Sequence, residues 1–86
     1  MTATFEQAKR QTERVTGVSN VAYDLMVVLT NKLQGIAALE EYKLDADAAG
    51  DHDVRTVLDR IEQHDRQDVD ELRDLVCQRL QRPQRR

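Results

Sequence analysis

At 86 residues, with hydrophobic residues at 40% and charged residues at 34%, the chain has room for one small domain of unspecialised composition. A single cysteine, Cys77, rules out an intrachain disulfide, and a net charge of −3 argues against broad binding to nucleic acid or anionic membranes, which draw on a surplus of Lys and Arg. Phe5, Tyr23 and Tyr42 are too few aromatics for stacking platforms, and three glycines with one proline are too few for the turns of an all-β fold.

Residues 1–17 are polar and threonine-rich, with Phe5, Ala8 and Val15 as the only apolar anchors. Their loose spacing suits a frayed helix or disorder, and a mobile N-terminal arm is expected. A helical hairpin is expected over 18–81. After Gly17, Ser19 or Asn20 can cap a first long helix over about 19–49, because a short polar side chain there accepts a bond from a free backbone N–H. At 100° per residue, Val21, Ala22, Leu25, Met26, Val28, Leu29, Leu33, Ile36, Ala37, Leu39 and Leu44 fall within a half-circle. One neighbouring helix covers an arc of roughly 100°, so a stripe about twice as wide predicts contacts with at least two helices. Gly35 interrupts the stripe at a cost of about 1 kcal/mol against alanine without ending so long a helix.

Ala48-Ala49-Gly50-Asp51 reads as a tight turn, with glycine in the left-handed conformation and Asp51 or Asp53 capping the next helix. That second helix, about 51–81, carries Val54, Val57, Leu58, Ile61, Val69, Leu72, Leu75, Val76 and Leu80 on one face, and Pro83 stops it. Residues 82–86 form a basic tail, expected to fray. Positions equidistant from Gly50 lie at one level, so Leu25 meets Val76, Leu29 meets Leu72 and Leu44 meets Val57, whereas Leu33 and Ile36 face the levels of Asp68 and Asp65. Two such rods leave their inner faces half wet, and with no disulfide to help, a homodimer forming a four-helix bundle is the simplest remedy. Its predicted core is Leu25, Leu29, Leu33, Ile36, Ile61, Leu72 and Val76. With no signal peptide and no run of about 18 apolar residues, the cytoplasm is the expected compartment and a membrane partner is not expected.

Polar residues inside the apolar stripes carry the remaining information. Lys32, Glu40, Lys43 and Asp47 fall in the first stripe, and His64, Asp65, Asp68 and Arg79 in the second; charges placed there need partners, a metal or water. The level rule gives Lys32 as a neighbour of Asp68 and puts Glu40 near Ile61, one turn from His64 and Asp65; a pairing of Lys32 with Asp65 or Asp68 is expected. A structural ion pair is the favoured reading, with no catalytic residue and no cofactor. The alternative is a metal site built from Glu40, Glu62, His64, Asp65 and Asp68 and completed by a symmetry mate. Against it, His64 and Asp65 are adjacent in sequence and point about 100° apart on a helix. Burial could also depress Lys32 into a base or nucleophile, but the chain contains no phosphate loop, nucleophile elbow or Cys/His ligand spacing to build a site around it. Cys77 projects away from the stripe, and the terminal arms are candidate contacts for a protein partner.

A hairpin with an acidic residue on its first helix and Glu-x-x-His on its second is the repeating half of ferritin-like di-iron proteins, the rubrerythrins and encapsulated ferritins among them. The pattern over about 21–80 resembles that half, with Val54, Val57, Leu58, Val69 and Leu72 at the apolar positions of the second helix. The motif departs from the family: Asp65-x-x-Asp68 stands for Glu-x-x-His, and the first-helix glutamate slot falls at or within a turn of Lys32. The resemblance implies a ferritin-like fold in which an ammonium substitutes its charge for that of iron, or, in the alternative, an iron-binding or iron-oxidising protein. Tyr23-Asp24-Leu25, Leu33-Gln34-Gly35 and Ala49-Gly50-Asp51 also resemble small bacterial helical-hairpin proteins of unassigned function, which implies no activity.

Overall fold

The computed structural model describes residues 4–81, all in helices and their short links: α1 (Phe5–Thr16), α2 (Asn20–Ala49) and α3 (His52–Gln81). The basic tail expected at 82–86 lies outside the described residues, as do positions 1–3. No helix among the described residues is long and apolar enough to cross a membrane.

The segment expected to be a mobile arm is helical over Phe5–Thr16, and the reason lies at its first turn. Thr4 Oγ1 accepts from Gln7 N–H at 3.2 Å while Gln7 Oε1 accepts from Thr4 N–H at 2.9 Å, a reciprocal capping box that satisfies donors a helix start otherwise leaves free. Gly17 ends the helix at φ 70, a left-handed position natural to glycine. No residue of α1 is buried; Phe5 and Val15 are 74% and 81% exposed. The helix is tied to α2 by polar contacts: Glu13 Oε2 accepts from Asn20 N–H at 2.7 Å, and Asn20 Nδ2 donates to Lys9 O at 3.1 Å. Because α2 has no acidic residue in its own first turn, Glu13 supplies the negative charge that its N-terminus favours.

Ser19 caps α2 by accepting from Ala22 N–H at 3.1 Å. Gly50, at φ 68, closes it, and Asp51 Oδ1 accepts from Val54 N–H at 3.1 Å to start α3. The two long helices pack antiparallel along a seam whose members recur every three and four residues: Ala22, Leu25, Leu29, Lys32, Ile36, Leu39, Lys43 and Ala46 on α2, and Arg55, Leu58, Glu62, Asp65, Val69, Leu72, Val76 and Arg79 on α3. Each of them is buried or half-buried. A strict three-four alternation averages 3.5 residues per turn, the period at which one seam stays turned toward a partner helix over eight turns. Residues equidistant from the turn form layers, so Leu25 lies level with Val76 and Leu29 with Leu72, while each charged seam residue stands level with an uncharged one.

Within one chain the apolar burial is thin. Ala22, Leu39, Ala46 and Val76 are the buried hydrophobic residues among those described. Of the predicted core, Val76 is buried, Leu25, Leu29, Ile36 and Leu72 are half-buried, and Leu33 and Ile61 are 51% and 41% exposed. Ser19→Ala removes the α2 cap and should lower stability by about 1 kcal/mol, read as a drop in the urea midpoint followed by circular dichroism. An unchanged midpoint would show that the α2 terminus contributes nothing to the cooperative unit.

Candidate functional site

The chemically distinctive feature of the hairpin is a set of charged residues inside its seam. At mid-length Lys32 reaches across to α3, its Nζ 3.0 Å from Asp65 Oδ1 and 3.1 Å from Asp68 Oδ2. Asp65 is the more sheltered of the two carboxylates. Hydrogen bonds to Asp65 and then Asp68 raise the Lys32 pKa above its ordinary value, against a smaller opposing effect of desolvation. The ammonium is therefore held charged at neutral pH, the opposite of what a lysine base or nucleophile requires.

Nearer the turn a second cluster is more deeply set. Lys43 and Glu62 are 8% and 9% exposed, with Nζ and Oε1 2.8 Å apart. The contact is an ion pair by distance but lacks the angle of a directed hydrogen bond, so Oε1 is buried against a charge rather than along an N–H axis. Lys43 Nζ also lies 3.1 Å from Glu40 Oε1 and 3.5 Å from Asp59 Oδ1, and Arg66 Nε donates to Glu62 Oε2 at 3.0 Å. The cations beside it, Lys43 first and then Arg66, hold the Glu62 carboxyl down from 4.5 to about 2. At the turn itself Arg55 joins Asp47 of α2 to Asp59 of α3, its Nε 3.2 Å from Asp59 Oδ2.

The carboxylates named for a metal thus divide between two ammonium groups. Glu40 and Glu62 surround Lys43, Asp65 and Asp68 surround Lys32, and His64 is exposed on the outer side of α3. Among the described residues no three His, Cys, Asp or Glu side chains are grouped to hold an ion. Glu40 packs on Lys43 at 3.1 Å and lies within 3.9 Å of Arg66. The Lys43–Glu62 pair has no counterpart in the reading at 3.6 residues per turn, which leaves Glu62 at the edge of its stripe; the 3.5-residue seam puts it at the centre.

Flanking columns give the hairpin two unlike sides. On one, α2 presents Met26, Leu33, Glu40 and Asp47, and α3 presents Asp59, Arg66, Arg73 and Leu80; the Glu40–Arg66 and Asp47–Arg55–Asp59 contacts bridge the helices there. On the other, α2 presents Val21, Val28, Gly35 and Tyr42, and α3 presents Val54, Ile61, Asp68 and Leu75. All six large side chains on that side are exposed, and its one charge, Asp68, is met by Lys32. Cys77 is an exposed free thiol, as expected.

Comparison with protein-family models, with curated proteins and with solved structures finds no match for this chain.

The lowered Glu62 pKa has a definite pH signature. A carboxylate whose pKa is depressed on folding stabilises the fold above its unfolded value, and that contribution fades as pH falls through the folded one. The urea-midpoint difference between the wild type and Glu62→Gln should therefore be full above pH 4.5 and vanish toward about pH 2. A difference that stays constant over that range would show that Glu62 is not held as the anion by Lys43.

Proposed function

We propose that this protein acts by association: two copies of the hairpin pack their exposed apolar sides together into a homodimeric four-helix bundle, a structural unit without catalytic chemistry. The observation that carries this reading is the amount of apolar surface the single chain leaves in water. Val28, Tyr42, Ile61 and Leu75 on one side, with Leu33 and Leu44 elsewhere on α2, are all exposed, whereas isolated exposed residues need no explanation and a contiguous band does. The accessible surface is 7099 Å² for 9.9 kDa; a compact monomer of that mass exposes roughly 5200 Å². Elongation, at 60 × 30 × 15 Å, accounts for part of the excess, and a rod of that shape sheds surface most readily by lying against another.

In this reading the layout is that of a ferritin-like hairpin pair, with Lys32, Asp65 and Asp68 standing where a di-iron protein would hold metal. Its charge argument is specific: Lys32 already offsets half of the charge of the two carboxylates, so a cation arriving there meets an ammonium within 3.1 Å of both.

Light scattering with size separation on the full chain should report twice the mass of one chain at micromolar concentrations and above, and a folded species of single-chain mass at all concentrations would overturn the association reading. Ferrous iron added in air should leave no stoichiometric ferric absorbance. Uptake that disappears in Asp65→Ala would replace the structural reading with iron chemistry.

A further inference from the structure

We propose that the second copy docks on the side of the hairpin marked by Val28, Tyr42, Ile61 and Leu75, and that the two chains approach most closely at Gly35. The proposal rests on the association reading and adds the face, the symmetry and the point of closest contact. Gly35 is the first observation. A helix-interior glycine is unfavourable relative to alanine, yet a Cβ built at Gly35 meets nothing within 4 Å. No contact inside the chain accounts for the missing side chain, and a neighbouring helix passing over that spot does.

Charge and area point to the same side. The opposite side carries Glu40, Asp47, Asp59, Arg66 and Arg73, whose burial under a second helix layer would strip water from five charges. The inner columns of the chosen side carry only Asp68, already 3.1 Å from Lys32 Nζ, with Asp24, Asp45 and Glu71 at the outer rim, where charges keep their water. A strip two helices wide and 30 residues long covers about 900 Å², close to the roughly 800 Å² per partner of a standard stable interface.

Self-complementarity selects a copy of this chain as the occupant. Gly35 and Asp68 lie near one level at the middle of the strip, Val28 and Leu75 one heptad to one side, Tyr42 and Ile61 one heptad to the other. A twofold axis at the Gly35 level brings the Val28–Leu75 level of each copy onto the Tyr42–Ile61 level of the other, the matching of a patch with itself that an isologous dimer requires. The smaller aliphatic level then meets the bulkier aromatic one twice, and the two glycines leave room at the crossing.

Sedimentation equilibrium on the full chain, with circular dichroism for helix content, tests the placement. Gly35→Leu and Ile61→Lys should retain helix content and raise the dimer dissociation constant by about tenfold or more, whereas Leu44→Lys, on the far flank of α2, should leave it unchanged. Gly35→Ala guards against variants that fail to fold: alanine favours the helix, so thermal stability of the dissociated chain should rise while dimerisation weakens. A wild-type dimer indifferent to Gly35→Ala and Gly35→Leu, or one broken by Leu44→Lys, overturns the placement and leaves association standing. A wild-type chain that never dimerises overturns both.

Discussion

Two lysines in the otherwise aliphatic α2 half of the seam decide how the helices of this protein align. An aliphatic residue such as Leu25 tolerates a slide of one helix by a heptad, because Val69 then takes the place of Val76. Lys32 and Lys43 do not. A slip of seven residues would face Lys43 with Arg55 or Val69 in place of Glu62, and Lys32 with Leu58 or Leu72 in place of Asp65. Sheltered ion pairs add little net stability over well-packed apolar residues, but breaking one leaves a stranded charge. The asymmetry penalises the wrong registers more than it favours the right one, which is the established use of polar residues at coiled-coil core positions. The remaining carboxylates, Glu40, Asp59 and Asp68, complete the shells around the two ammonium groups.

Features set by a few neighbouring residues were the legible ones. Ser19, Gly50 and Asp51 mark the ends of the long helices through local hydrogen bonds and a left-handed turn, and they mark them as plainly in the sequence as in the fold. Lys32 also declared its partners, since equidistance from Gly50 holds for any tight antiparallel hairpin. The helix at Phe5–Thr16 was hidden because apolar periodicity is the stronger signal in most helices, and only Phe5, Ala8 and Val15 supply it there; Thr4 and Gln7, three apart, were the mark of its start. The pairing of Lys43 with Glu62 escaped for a different reason, although Lys43 itself fell within the first stripe. A period of 3.6 drifts about 20° per heptad against a seam of 3.5, so over a 30-residue helix the central column shifts to the margin of the predicted stripe.

The same register that buries the lysine pairs sorts the rest of each helix into a charged flank and an apolar one. Cross-helix ion pairs hold the charged flank within the chain, while the apolar flank has only seam residues beneath it and solvent above. In that division the ion pairs that hold one hairpin together lie apart from the surface that the proposed association would use. α1 stands apart from both: Glu13 and Asn20 fasten it to the start of α2 through polar groups alone, and its apolar residues join neither surface.

The placement of the charged layers along the rod bears on the order in which the hairpin closes. Arg55 with Asp47 and Asp59 lies next to the turn, Lys43 with Glu62 is farther out, and Lys32 with Asp65 comes at mid-length; the purely aliphatic levels of Leu25 and Leu29 lie at the open end. Short loops close fastest and at the least entropic cost, so a chain zipping outward from Gly50 meets its charge pairs before its greasiest layers. A misaligned start is rejected while little surface has collapsed, and the aliphatic end, blind to its own alignment, is joined only after the ionic steps have chosen it.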